Sequence, residues 1–155
     1  MDLWELTARE SIRDIVARYN ANGDSGRIDA LLDLFTDDAI VEVPPDALYR
    51  GKQEIRSLFD GAAESSRDFE KIGFIRHFTA THQIDLVDEC TARGRAYFVV
   101  FTAQGADHWG RYLDSYRRVG DRWLFSHRRV AVDARIPGGW AERAQSRRHD
   151  AMGEG

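Results

Sequence analysis

Cysteine occurs once, at Cys90, and lysine twice, at Lys52 and Lys71. A single cysteine makes no intramolecular disulfide and builds no thiolate metal site. It suits a reducing compartment, and a cytoplasmic protein is the expectation. Proline is confined to Pro44, Pro45 and Pro137, so few positions forbid regular structure. No apolar run approaches the ~18 residues of a membrane span, and the polar start of the chain does not read as a secretory leader. The net charge of −4 offers no basic face for tracking phosphates. Neither a nucleic-acid nor a membrane partner is expected. P-loop, nucleophile-elbow and dinucleotide-binding patterns are missing as well, and no cofactor is expected.

What is present is an ordinary globular core. Of 155 residues, 43% are hydrophobic, enough for one domain. Thr7 and Glu10 have capping-box spacing, and Ile12, Ile15, Val16 and Tyr19 then fall on one helical stripe. Asn22-Gly23 ends this helix. A second, shorter helix carries Ile28, Leu31, Leu32 and Phe35 on one face, and residues 39–43 read as a strand stopped by Pro44-Pro45. Ile55, Leu58, Phe59 and Ala62 mark a third helix, followed by a polar loop over 63–73. The period then changes from helical to alternating. Residues 74–87, 91–103, 109–118 and 123–133 read as four long strands. Three helices followed by an antiparallel meander give an α+β class, a strongly curved sheet wrapped around its helices. The domain is expected over residues 1–135. Residues 136–155, opened by Pro137-Gly138-Gly139, form a tail that is either loose or folded over a pocket mouth.

Several motifs invite chemistry and each has a plainer reading. Gly23-Asp24-Ser25-Gly26 echoes the nucleophile segment of chymotrypsin-like proteases, but the chain is too short for that double barrel. His77 and His82 lie five apart on one strand, hence on opposite faces unless a bulge intervenes, and His108 and His127 lack an acidic partner at ligand spacing. No metal site is expected. Asp24 could simply cap the second helix, and His77, between Ile75 and Thr79, could be a buried histidine satisfied by a carbonyl.

The order Ala17-Arg18-Tyr19, Asp24, Leu34-Phe35, Asp38-Ala39, Gly51 with Ile55, Arg76-His77, Gly110-Arg111-Tyr112-x-Asp114, Trp123 and Arg128-Arg129 resembles a SnoaL-like domain of the NTF2-like superfamily. The likeness spans residues 7 to 133. It implies a cone-shaped fold around an apolar pocket. Within the superfamily it runs to scytalone dehydratase, to bile-acid 7α-dehydratase and to a dehydrochlorinase, enzymes that use an Asp–His dyad. The matching positions are Asp24 and His77, with Tyr19 where the bile-acid enzyme has a functional tyrosine. The second functional aspartate of that enzyme falls near Val100, so that role is vacant.

The resemblance implies a cofactor-independent lyase of dehydratase type acting on a small cyclic, largely apolar metabolite. His77 would be the base, Asp24 its orienting carboxylate and Tyr19 a hydrogen-bond donor. Phe59, Tyr97, Trp109, Tyr112, Asp114 and His127 are candidates for lining or orienting the substrate. A polyketide-type cyclase or isomerase would use the same pocket. A non-catalytic binding or oligomerisation module would need no dyad. Related folds imply a homodimer or homotrimer.

Overall fold

The computed structural model describes the backbone of residues 1–67 and 72–153 and the side chains of 1–63 and 72–146. Helix α1 spans Leu3–Asp24. It begins a full turn before the Thr7 signal, because Asp2 and not Thr7 stands at its N-cap; the Glu5 carboxylate accepts the Asp2 N–H at 2.7 Å. The Thr7 hydroxyl instead donates to the Leu3 carbonyl one turn back. Ala8, Ile12, Ile15, Val16, Tyr19 and Asn20 form the buried stripe of α1, at the spacing that keeps side chains on one helix face. Helix α2 is a single short piece, Ile28–Leu32. Phe35, expected on its apolar face, opens strand β1 (Phe35–Val43), and β2 (Ala47–Arg50) pairs back on β1. Helix α3 covers Gly51–Arg67. The loop expected over 63–73 is therefore helical to Arg67, and residues 68–71 lie outside the described residues.

Strands β3 (Arg76–Leu86), β4 (Thr91–Thr102), β5 (Gly105–Val119) and β6 (Arg122–Arg135) form the meander. The six strands run in the order β2-β1-β6-β5-β4-β3. Only β1 and β6 are parallel; every other neighbour is antiparallel. Register shifts interrupt β3–β4, β4–β5 and, twice, β5–β6. Each such bulge bends its strand and adds twist, which is how one sheet curls around α1. At one of them β5 and β6 approach so closely that a Cβ on Gly110 would lie 1.9 Å from the Ala131 carbonyl oxygen. Only glycine fits there.

The inner face carries the core: Phe35, Val41, Phe98, Val100, Tyr112, Tyr116 and Phe125 against the α1 stripe. A fourth helix, α4 (Trp140–Gly153), follows β6. Among the described residues no helix is long and apolar enough to cross a membrane.

Candidate active site

The bulge in β3 overturns the parity argument for its histidines. Thr81 sits at φ 53°, where the pairing jumps between Ala80 and Gln83. The extra residue resets the alternation, so His77, Thr79, His82, Ile84 and Leu86 all stand on the more buried side of β3. The two histidines have different partners. His82 Nε2 meets the Tyr116 hydroxyl at 3.3 Å, and burial lowers its pKa from the usual value. Among the described residues no group of three or more His, Cys, Asp or Glu is placed to hold a metal ion.

His77 is the second residue of β3 and faces the last turn of α1. Its Nδ1 lies 2.6 Å from Asp24 Oδ1, and its backbone N–H donates to Asp24 Oδ2 at 2.9 Å. Both carboxylate oxygens are thus committed to one residue on β3. The capping role open to Asp24 is not filled: Arg27 is the N-cap of α2, and no side chain bonds there. An ionised carboxylate only accepts, so Nδ1 carries the hydrogen, and Nε2 has no hydrogen-bond partner among the described residues.

The pair forms part of the wall of a cavity of about 620 Å³. Helix α1 contributes Tyr19, Asn20, Gly23 and Asp24; Ile28 comes from α2; Phe59, Ala62 and Ala63 come from α3. The approach to β3 adds Ile72 to Ile75, and α4 adds Trp140. Apolar walls with a few convergent polar groups are the usual constitution of a small-molecule site.

Of the residues singled out from sequence, Tyr19, Asp24, His77 and Phe59 meet at this cavity. The strand candidates do not line it. Tyr97 and Trp109 point outward and are exposed, because inner positions on β4 and β5 are the even ones, such as Phe98 and Tyr112. His127 is also outward, 2.6 Å from Glu42 through Nε2. Tyr112 and Asp114 do face inward but are buried in the core. Asp114 takes Arg128 Nε and Nη2, each at 2.8 Å, in a two-pronged pair, and accepts the Tyr116 hydroxyl at 2.9 Å. The Arg128 guanidinium lies over the rings of Tyr19, Tyr112 and Phe125 at 4.1, 3.9 and 4.4 Å. Burial pulls its pKa down, but Asp114 outweighs this and holds it above the usual arginine value. Burial pushes the Tyr19 phenol up, with Arg128 opposing. Tyr19 is therefore neutral and able to donate at neutral pH.

Sequence reasoning missed Asn20 and Trp140. Asn20 was detectable, one helical turn before Asp24. Trp140 was not, since its place at the wall depends on Asp107. That carboxylate, at a bulge in β5, accepts the backbone N–H of Trp140 at 2.6 Å and of Ala141 at 3.0 Å, and so caps α4 from across the fold.

The SnoaL-like domain family matches residues 4–129. The chain belongs to the SnoaL-like family. No curated protein matches it. Among solved structures, a candidate scytalone dehydratase from Novosphingobium aromaticivorans shares 19% identity over 90% of this chain and 95% of its own, with a TM-score of 0.74. A hexachlorocyclohexane dehydrochlorinase shares 17% over 89% and 95%, with a TM-score of 0.73. An NTF2-like protein with a cystatin-like fold, from N. aromaticivorans, shares 29% over 92% and 96%, with a TM-score of 0.70. At these identities the first two likenesses establish the fold. The NTF2-like α+β architecture anticipated from the residue pattern is the one found.

Proposed function

We propose that this SnoaL-like protein is a cofactor-independent acid–base lyase of the dehydratase type, acting on a small cyclic, largely apolar metabolite. The observation that carries the reading is the Asp24–His77 pair at 2.6 Å in the wall of the cavity. The pair sets an imidazole against apolar walls of a size that accepts a small molecule. The likeness to a dehydratase and a dehydrochlorinase supports elimination chemistry at the level of the fold.

His77 Nε2 takes a proton from a carbon next to a carbonyl, and the C–H electrons pass into the carbonyl as an enolate. Asp24 keeps the ring oriented and stabilises the imidazolium that forms. Tyr19 donates a hydrogen bond to the oxygen where charge develops. The enolate then collapses to a carbon–carbon double bond as a β-hydroxyl departs, accepting the proton from His77 Nε2. One water leaves, and the enzyme returns to its starting state. The test is incubation with a panel of β-hydroxy cyclic ketones, with loss of one water read by mass spectrometry. Turnover is expected from the native protein, with and without exhaustive chelation, and not from His77→Ala. Activity abolished by chelation and restored by zinc would contradict the scheme.

The partner besides the substrate is a second copy of the chain. Phe78, Tyr97, Phe101 and Trp109 lie exposed together on the outer face of β3–β5, and contiguous exposed apolar surface marks interaction sites. A homo-oligomer burying more than roughly 1,000 Å² covers this patch. Light scattering that gives a 17.7 kDa species at micromolar concentration would overturn this assembly.

A further inference from the structure

Two buried polar atoms that have no hydrogen-bond partner among the described residues belong to side chains that line the cavity: Asn20 Oδ1 and Trp140 Nε1. Asn20 is the more informative. It is 7% exposed, so its amide stands on the inner face of α1, and none of the described residues holds its oxygen. Buried amides are ordinarily paired, and leaving one unpaired is costly. An asparagine is also a poor choice for a helix interior on propensity alone. The position must therefore be judged by what the cavity holds. Asn20 precedes Asp24 by four residues on α1, which stacks the two side chains on one face. The amide thus neighbours the orienting carboxylate of the proposed base. A half-turn about χ2 exchanges its ends, so either the N–H donors or the acceptor can be turned to a ligand.

We infer that Asn20 is a substrate-binding residue whose amide N–H donates to the carbonyl oxygen of the substrate, which makes the substrate class cyclic ketones and not halogenated or plain hydrocarbons. The inference rests on the acid–base reading for which oxygen is meant: the carbon that gives its proton to His77 lies next to the carbonyl. The amide would hold the oxygen that becomes the enolate, sharing the developing charge with Tyr19. Trp140 Nε1, a donor without a partner among the described residues, belongs to a side chain of the same wall. A site built to hydrogen-bond an oxygen discriminates strongly against the analogue that lacks it.

The probes are α-tetralone and tetralin, which differ by the carbonyl oxygen alone. Two readouts separate the claims. Binding, followed by calorimetry, reports Asn20. Deuterium uptake from solvent at the carbon beside the carbonyl, followed by NMR, reports the base. The native protein should prefer α-tetralone by about tenfold or more. Asn20→Leu, which keeps the shape, and Asn20→Ala, which guards against a misfolded first variant, should both bring the ratio close to one. His77→Ala should keep the ratio and lose the uptake. A native protein that does not prefer the ketone, or Asn20 variants that keep the full preference, would overturn the assignment of Asn20. Preference that depends on Asn20 with no uptake that depends on His77 would retain the binding residue and overturn the acid–base reading.

Discussion

Among the described residues, two histidines are held by an aspartate through Nδ1 at nearly the same distance. Asp24 Oδ1 meets His77 Nδ1 at 2.6 Å, and Asp107 Oδ2 meets His108 Nδ1 at 2.8 Å. Everything beyond the pair differs. The second bond of Asp24 goes to the His77 backbone, so the carboxylate serves one residue. Asp107 spends its remaining capacity on the N-terminus of α4. The His77 side chain is 23% exposed and lines the cavity, whereas that of His108 is 10% exposed and packed against the rings of Phe98 and Trp140. A histidine held through Nδ1 acquires its role from what its far nitrogen meets. In the proposed reading the first pair transfers a proton, whereas the second fastens a helix.

The sharpest break in the comparison comes from removing each histidine. His77→Ala should lower turnover of a β-hydroxy ketone by about 10² to 10⁴ with little change in melting temperature. His108→Ala should lower the melting temperature and leave turnover within an order of magnitude. Steady-state rates and calorimetric melts of the two variants decide it; equal rate losses would erase the distinction.

A large stability effect is expected at the third buried carboxylate, which belongs to neither pair. Arg128 and Asp114 are both sealed from solvent. Removing one partner strands the other charge, and Asp114→Ala should cost about 3–5 kcal/mol, read by urea denaturation. A loss below about 1 kcal/mol would mean that water or another group reaches Arg128.

Asp107→Ala should cost less, about 2 kcal/mol, by taking the cap from α4 and a partner from His108. Trp140 fluorescence should shift to the red as that helix loosens. The sign of the pH effect follows from the carboxyl. Burial alone would raise its pKa, but His108 and the two amide N–H groups outweigh burial and lower it. The folded protein therefore binds a proton less readily than the unfolded chain. This contribution is complete above about pH 4 and is lost as pH falls through the lowered folded value. In Asp107→Ala that acid limb should flatten; an unchanged limb would assign acid sensitivity elsewhere.

The smallest effect belongs to His82. Burial lowers its pKa, so the unfolded chain gains a proton first as pH falls below about 6.5, and stability declines. His82→Gln should remove a shallow decline that begins as pH falls below about 6.5, above the pH at which the Asp107 contribution starts to be lost. A slope that persists in the variant would exclude His82 as its source.

The sequence discloses α1 to α3, β1 and the meander because helical and alternating periods are local signals, but not β2 or α4. The α1 stripe from Ile12 to Tyr19 and the four meander strands are readable for that reason. It discloses Asp24 and His77 only through resemblance, since 53 residues separate them and no local rule pairs them. Aromatic identity marks Tyr97 and Trp109 as apolar without telling which face they take. A single inserted residue at Thr81 moves His82 to the other side, and sequence carries no signature for a bulge at a threonine. Pro137-Gly138-Gly139 reads as a place where structure stops. The helix behind it starts because Asp107, more than 30 residues earlier, supplies the cap.

The central claim is that Asp24 and His77 act as one catalytic unit. Water elimination from a β-hydroxy cyclic ketone, timed for Asp24→Asn, His77→Ala and the double variant, tests it most directly. Residues that act together are not additive, so the account predicts a double variant no slower than His77→Ala, and an Asp24→Asn enzyme slowed by at least about tenfold through the wrong imidazole tautomer. An Asp24→Asn protein that melts several degrees lower yet eliminates water at the native rate would contradict it.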